Sequence, residues 1–153
     1  MTETSIAQNA PILVAIDIAK ARHEVFIAIP GKKRRRRLTI LNQLNDFERL
    51  VASLTGYDLP VRVAFEATGN YHRAITYHLA AAGFEMKLVS SVSLARTREA
   101  LHNSWDKNDP KDAQVILHMM QIGSRITAAQ RANSARISKP CNTMKIENCA
   151  KLS

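Results

Sequence analysis

The N-terminal part of the chain alternates short apolar runs with short polar links. Residues 12–18 (ILVAIDI) and 25–29 (VFIAI) are apolar runs, which predict strands, and the polar link 19–23 separates them. A Pro-Gly pair at 30–31 predicts a turn, and residues 38–41 suit a third strand whose first half carries the arginines. Because parallel neighbours need a crossover of about a dozen residues, three strands joined by short links predict an antiparallel meander.

The period of the apolar positions then changes from strand to helix. Helical spacing begins at Phe47, a capping box is expected at Asn45 and Glu48, and Gly56 is the expected stop. A short strand is predicted at 61–66.

The rest of the predicted domain alternates helices with strands. A helix at 71–82, a strand at 86–89, a helix at 94–101 and a helix opened by the Asp-Pro pair and spanning 109–123 complete the series. The order β-β-β-α-β-α-β-α-α predicts an α/β fold with a mixed sheet, in which an antiparallel meander precedes parallel βα units and helices cover both faces. Ribonuclease-H-like folds have this layout.

Length and composition are those of one globular domain. The 153 residues are 46% hydrophobic and 23% charged, and two cysteines are too few for a disulfide framework, which favours a reduced, cytoplasmic setting. The sequence contains no apolar stretch of transmembrane length, and its first residues lack the pattern of a signal peptide. We expect an N-terminal arm (1–11), one domain (12–123) and a basic tail (124–153) that is disordered or non-native.

The net charge of +9 is concentrated in two segments. The tail 124–153 is basic, and six consecutive cations occupy the turn and start of the third strand: Lys32, Lys33, Arg34, Arg35, Arg36 and Arg37. This basic run could be a solvated edge that discourages aggregation, a phosphate-binding hairpin or a nuclear-targeting signal. Six adjacent cations repel one another, which favours phosphate binding.

Two acids end predicted strands where packing has no use for them. Asp17 interrupts an apolar run near its end, and Glu66 ends the next strand after the meander. A right-handed connection makes these two strands parallel and places both carboxylates at the same edge of the sheet. Burying a carboxylate is costly without a partner, and the pair could share one cation such as Mg²⁺.

Two further acids, Asp109 and Asp112, lie three residues apart at the start of the last helix. If that helix end docks beside the strand ends, four carboxylates meet, and their repulsion favours bound divalent cations. Three of these acids also have a structural interpretation, since Asp109 and Asp112 suit a helix N-terminus and Glu66 suits a strand-end surface position, whereas a purely structural role is harder to assign to Asp17. The five histidines show no metal-ligand spacing.

Three segments resemble the signatures of DEDD transposases: 14–20 (VAIDIAK), 65–71 (FEATGNY) and 107–113 (KNDPKDA). This insertion-sequence family includes the Piv-type DNA invertase and the RNA-guided bridge recombinases. The resemblance extends over about 12–123 and implies a RuvC-like domain. It also implies that Asp17, Glu66, Asp109 and Asp112 form a catalytic set that binds Mg²⁺ or Mn²⁺.

The resemblance also implies DNA as the partner, location with the nucleoid in the cytoplasm, and a role in transposition. A structured guide RNA and a homo-oligomer are compatible with it, and no membrane partner is expected. Family members are longer and carry a C-terminal transposase domain with a serine thought to be the nucleophile. We therefore expect this chain to bind metal but to be inactive alone.

Two other functions remain compatible with the residues. The four acids could serve a stand-alone Mg²⁺-dependent junction nuclease, or the basic segments could serve a non-catalytic nucleic-acid-binding module. Sugar kinases and actin-like ATPases also begin with an aspartate strand, but they need a glycine-rich phosphate turn after it. Residues 19–22 contain no glycine, which argues against that class.

Overall fold

A mixed five-stranded sheet carries the fold, with helices packed on both of its faces. The computed structural model describes residues 10–67, 69–101 and 112–123. In chain order the elements are β1 Ile12–Asp17, β2 Arg22–Ala28, β3 Arg36–Leu41, α1 Leu44–Thr55, β4 Val61–Glu66, α2 His72–Ala81, β5 Glu85–Val89, α3 Ser91–Leu101 and α4, which is helical over residues 112–123.

The strand order is β3-β2-β1-β4-β5. Strand β2 pairs antiparallel with both β1 and β3, as short links require, whereas β4 pairs parallel with β1 and with β5 after helical crossovers. The predicted α/β fold, with a meander followed by parallel βα units, is confirmed, and the topology is consistent with a ribonuclease-H-like sheet.

Alternate residues of the central strand β1 belong to two apolar clusters. Ile12, Val14 and Ile16 pack in the cluster that includes α1 and α2. Leu13 and Ala15 point to the other face, in the cluster that includes α3 and α4. A central strand covered on both faces must be apolar at every position, which explains the continuous apolar run in the sequence.

The start of α1 differs from the sequence prediction. The predicted capping box at Asn45 and Glu48 is wrong, because the N-cap is Gln43 and its side chain makes no capping bond. The Asp46 carboxylate instead accepts a hydrogen bond of 2.7 Å from the backbone N–H of Leu41 at the end of β3. This carboxylate therefore ties the helix to the preceding strand.

Strand β2 begins earlier than expected, at Arg22 rather than at residue 25. Its pairing with β1 continues until Glu24 lies opposite Asp17. His23 stabilises the tight connection between β1 and β2. Its side chain is fully buried, and its ring stacks on that of Phe47 with 6.1 Å between the ring centres. The Nδ1 atom accepts a hydrogen bond of 3.2 Å from the Ala19 backbone N–H. The extra pairing brings Glu24 to the edge of the sheet where β1 ends.

The expected division into arm, domain and tail stays a prediction. Residues 1–9 and 124–153 lie outside the described residues. Within the described part of the chain, the helices are all too short or too polar to cross a membrane.

Candidate metal centre

Asp17 and Glu66 end the two parallel strands at the middle of the sheet. In the register of β1 and β4, Ile16 lies opposite Phe65, so the residues that follow them end the two strands side by side. The chain crosses from one strand to the other by way of β2, β3 and α1. The predicted adjacency and parallel direction of these two strands are confirmed.

Both carboxylates belong to the face of the sheet that packs against α3 and α4. Asp17 continues the alternation of Leu13 and Ala15, and Glu66 continues that of Ala64. Both acids are half-buried. Their position at the rim of this apolar cluster removes part of the water that would otherwise solvate them.

The Asp17 carboxyl is surrounded by other charges. Its pKa is raised above the ordinary value, first by burial and then by the negative charges of Asp112, Glu66 and Glu24, while Arg98 acts in the opposite direction. Asp112 is the first described residue of α4, so the first described turn of that helix lies near the ends of β1 and β4. Asp17 therefore interacts electrostatically with two of the other predicted acids, Glu66 and Asp112.

Asp109 lies outside the described residues. Among residues 10–67, 69–101 and 112–123, no three His, Cys, Asp or Glu side chains come together closely enough to hold a metal ion. The donor chemistry still fits one class of metal, because carboxylate oxygens are the ligands that Mg²⁺ takes. The metal site predicted from the sequence stays a prediction.

Glu24 is an acid at this edge that the sequence analysis missed. It lies opposite Asp17 on β2, and its carboxylate accepts hydrogen bonds from Thr39 Oγ1 at 2.7 Å and from Arg37 Nε at 3.2 Å. A cation and a hydroxyl from β3 thus hold it on the side away from β4. The signal that could have revealed Glu24 is its place in the strand alternation, once β2 is extended to Arg22.

Arg98 is the second functional candidate that the sequence did not reveal. Its guanidinium Nη2 donates to Asp112 Oδ1 in an ion pair that joins α3 to α4. The pair is partly exposed, with 42% of the Arg98 side chain and 34% of the Asp112 side chain accessible. One cation therefore lies among the acids of the candidate site.

The basic run is exposed along its whole length, and its later members alternate between the two faces of β3. Arg36 lies opposite Ile27 and donates to the Tyr57 hydroxyl at 3.0 Å. Arg37 lies opposite Phe26, on the same face as Asp17, and pairs with Glu24.

Other members of the run reach different neighbours. The Arg35 guanidinium donates to the Gln121 side chain of α4 at 3.1 Å, and the Lys32 ammonium lies 5.4 Å from the centre of the Tyr57 ring. Lys33 and Arg34 make no ion pair with any described residue. Protein groups therefore orient part of the run, and the remaining cations face solvent.

Comparison with known proteins identifies a family whose sequence pattern this chain matches. A model of a transposase family, DEDD_Tnp_IS110, matches residues 14–137. The matched range contains all four predicted acids and the basic run, and it continues past Gly123 into the segment where the composition changes. No curated protein matches the sequence.

One similar solved structure is the ethanolamine utilization protein EutJ from Carboxydothermus hydrogenoformans. The identity is 16% and the TM-score 0.35, with 60% of this chain and 40% of that protein covered. The chain thus spans less than half the length of that protein.

Proposed function

Because the chain belongs to the DEDD transposase family, we propose that it is the metal-binding catalytic domain of an enzyme that cuts and joins DNA in transposition. The proposed ligands are Asp17, Glu66, Asp109 and Asp112, with Mg²⁺ as the metal and Mn²⁺ as a substitute. The observation that carries the proposal is that Asp17 and Glu66 end the adjacent parallel strands β1 and β4 side by side. Burial, together with the negative charges of Asp112 and Glu66, raises the pKa of Asp17, which agrees with this placement. Divalent cations would relieve that repulsion and, in pairs, would stabilise the attacking and leaving oxygens of a phosphodiester.

The roles of the acids follow from their positions. Asp17 interacts with both Glu66 and Asp112, so it would be the central residue among those that hold the metal. Glu66 would contribute from the neighbouring strand β4, and Asp112 from the first described turn of α4. Glu24 is already held by Arg37 and Thr39, and its role is to keep the local potential negative rather than to bind metal.

A Mn²⁺ titration monitored by electron paramagnetic resonance tests the metal site directly. We expect saturable binding to the parent chain and at least tenfold weaker binding to the Glu66→Gln variant. A matched control is Glu48→Gln, because Glu48 is an exposed acid on α1, on the opposite face of the sheet. Absence of saturable binding, or equal affinity in all three proteins, would contradict the proposed function and would favour a non-catalytic binding module.

We assign nucleic-acid binding to the basic run, in which Lys33 and Arg34 are exposed and Arg37 lies on the Asp17 face of the sheet. The turn that carries Lys33 and Arg34 lies beside the start of β1, at the opposite strand ends from the acids, whereas Arg37 reaches Glu24. The run would therefore bind the phosphates of a nucleic-acid strand that extends from the acids across this part of the sheet. DNA is the proposed partner. A structured guide RNA, self-association and location with the nucleoid are further proposals that rest on family membership.

Activity of this chain by itself is a separate proposal. By resemblance, strand transfer in the family needs a serine carried by a further domain, so we expect metal binding without DNA cleavage. Purified protein incubated with branched and linear DNA in Mn²⁺ tests this. Cleavage of branched DNA that Glu66→Gln abolishes would instead identify a stand-alone junction nuclease that uses water as the nucleophile.

A further inference from the structure

Arg98 lies on the face of α3 that packs toward the sheet. Leu94 is the buried residue of this helix, and Leu101 packs against the same apolar cluster. Arg98 is four residues after Leu94 and three before Leu101, so it belongs to the same stripe of the helix. Because water reaches only part of this side chain, its guanidinium needs a nearby negative charge or hydrogen-bond acceptor in the protein.

The charge of Arg98 is satisfied by the acids of the candidate metal centre. The guanidinium donates to Asp112, and its positive charge also attracts the Asp17 carboxylate. Its Nε is buried and has no hydrogen-bond partner among the described residues, so the contact with Asp112 is made by the tip of the guanidinium alone. Arg98 therefore lies where a bound cation would interact with the same two carboxylates.

We propose that Arg98 is a positioning residue that exchanges partners when metal binds: it pairs with Asp112 in the metal-free protein, releases that carboxylate to the incoming cation, and then binds a phosphate of the DNA. This inference rests on the proposed function and adds to it a regulatory role for one side chain. In the metal-free protein the ion pair with Arg98 would orient the Asp112 carboxylate and partly neutralise the negative charge of the acids.

Two physical reasons support the exchange. A carboxylate oxygen that coordinates a divalent cation loses much of its attraction for a guanidinium, because two positive charges then repel each other across it. The released guanidinium carries five donors in a planar fork, which matches a phosphate. With 42% of its side chain exposed, Arg98 can turn its head group toward a strand bound outside the acids.

A purely structural ion pair between α3 and α4 would behave differently. It would stabilise the metal-free and metal-bound proteins alike, and its loss would not change metal affinity. Partner exchange instead predicts that Arg98 opposes metal binding and supports DNA binding, which are effects of opposite sign. Those two signs make the inference testable.

Metal affinity is the first test. Mn²⁺ should bind Arg98→Gln about two- to fivefold more tightly than the parent chain, which is the size expected when one partly exposed ion pair no longer competes. Arg98→Lys keeps the charge and should retain parental affinity. Arg96→Gln is the matched control, because Arg96 is exposed on the same helix.

The outcomes of that test are distinguishable from failure of the metal site. No Mn²⁺ binding to the parent chain would overturn the proposed function and this inference together. If the parent chain bound Mn²⁺ and Arg98→Gln bound it with equal or weaker affinity, the partner exchange would be overturned and the proposed function would stand. Thermal melts of each variant without metal establish that the proteins compared are folded.

DNA affinity is the second test, measured by fluorescence anisotropy with labelled branched DNA. In EDTA the parent chain and Arg98→Gln should bind equally, because the guanidinium is still paired with Asp112. In Mn²⁺ the variant should bind about two- to fivefold more weakly than the parent or the Arg96→Gln control. An equal loss in both conditions, or no loss in Mn²⁺, would contradict the exchange.

Discussion

Replacing Asp17 by asparagine should stabilise the metal-free protein and abolish its response to metal. Asparagine has the shape of aspartate but carries no charge. Because the pKa of Asp17 is raised above its ordinary value in the folded state, that state binds more protons in the interval between the two values. The free energy of unfolding therefore falls as pH rises through this interval, and at neutral pH the ionised Asp17 destabilises the fold.

The size of the effect follows from the burial of Asp17 and from its charged neighbours. Burial comes first, and in addition three carboxylates repel Asp17 while one guanidinium attracts it, so about two repulsive interactions remain uncompensated. Partly exposed charge pairs contribute about 0.2–1 kcal/mol each. Asp17→Asn should therefore raise the free energy of unfolding by about 1 kcal/mol, or the melting temperature by about 4 °C.

Added metal should make the parent chain more stable than Asp17→Asn, which reverses their order of stability in EDTA. A ligand at 100 times its dissociation constant stabilises a folded protein by about 2.7 kcal/mol, or about 10 °C for a domain of this size. The parent chain should gain this amount in millimolar Mg²⁺ or Mn²⁺, whereas Asp17→Asn should gain little. Melts at pH 7.5 with EDTA or with metal measure both effects, and Glu48→Gln, an exposed acid on the opposite face, should respond as the parent does.

Two results would refute the reasoning. If Asp17→Asn lowered the melting temperature in EDTA, the Asp17 carboxylate would be stabilised by its surroundings rather than repelled by them. If metal raised the melting temperature of the variant as much as that of the parent, Asp17 would not be a ligand.

Further predictions concern DNA binding, pH and the core. Replacing residues 34–37 by serine should weaken binding about equally for all DNA sequences and should reduce the dependence of affinity on salt. Filter binding at several salt concentrations measures both effects. If removal of residues 124–153 abolished binding and the serine replacement did not change it, the tail would be the binding element. Burial lowers the pKa of His23, so the free energy of unfolding should fall as pH decreases below about 6.5, and His23→Gln should lessen that fall in urea denaturation between pH 7.5 and 5.5. The Phe47 side chain is 2% exposed and lies between the rings of His23 and His78. Phe47→Ala should lower the free energy of unfolding by about 3–5 kcal/mol in the same assay. A decrease of less than about 1 kcal/mol would contradict the place of Phe47 in the core.

The order and type of the elements could be predicted because they depend on local pattern. Short links allow only antiparallel neighbours, and a helical crossover brings β4 back parallel to β1. Those two rules suffice to bring the ends of the strands that carry Asp17 and Glu66 together at one edge. The same local signals also suggested a capping box at Asn45 and Glu48, and there they failed because the helix begins at Leu44, which places Asn45 inside it. Asp46 accepts a hydrogen bond from the backbone of Leu41, a residue of the preceding strand, and such a tertiary contact leaves no local signal.

Tertiary structure alone decided which other charges belong to the site. Glu24 faces Asp17 only because β2 starts at Arg22 and pairs as far as the end of β1, and sequence pattern places that boundary poorly. Arg98 is one exposed-looking cation among many in the sequence, and it meets Asp112 only because α3 and α4 pack on the same face of the sheet. Periodicity assigns a residue to a face of its own element, whereas the charges that surround it depend on which elements pack together.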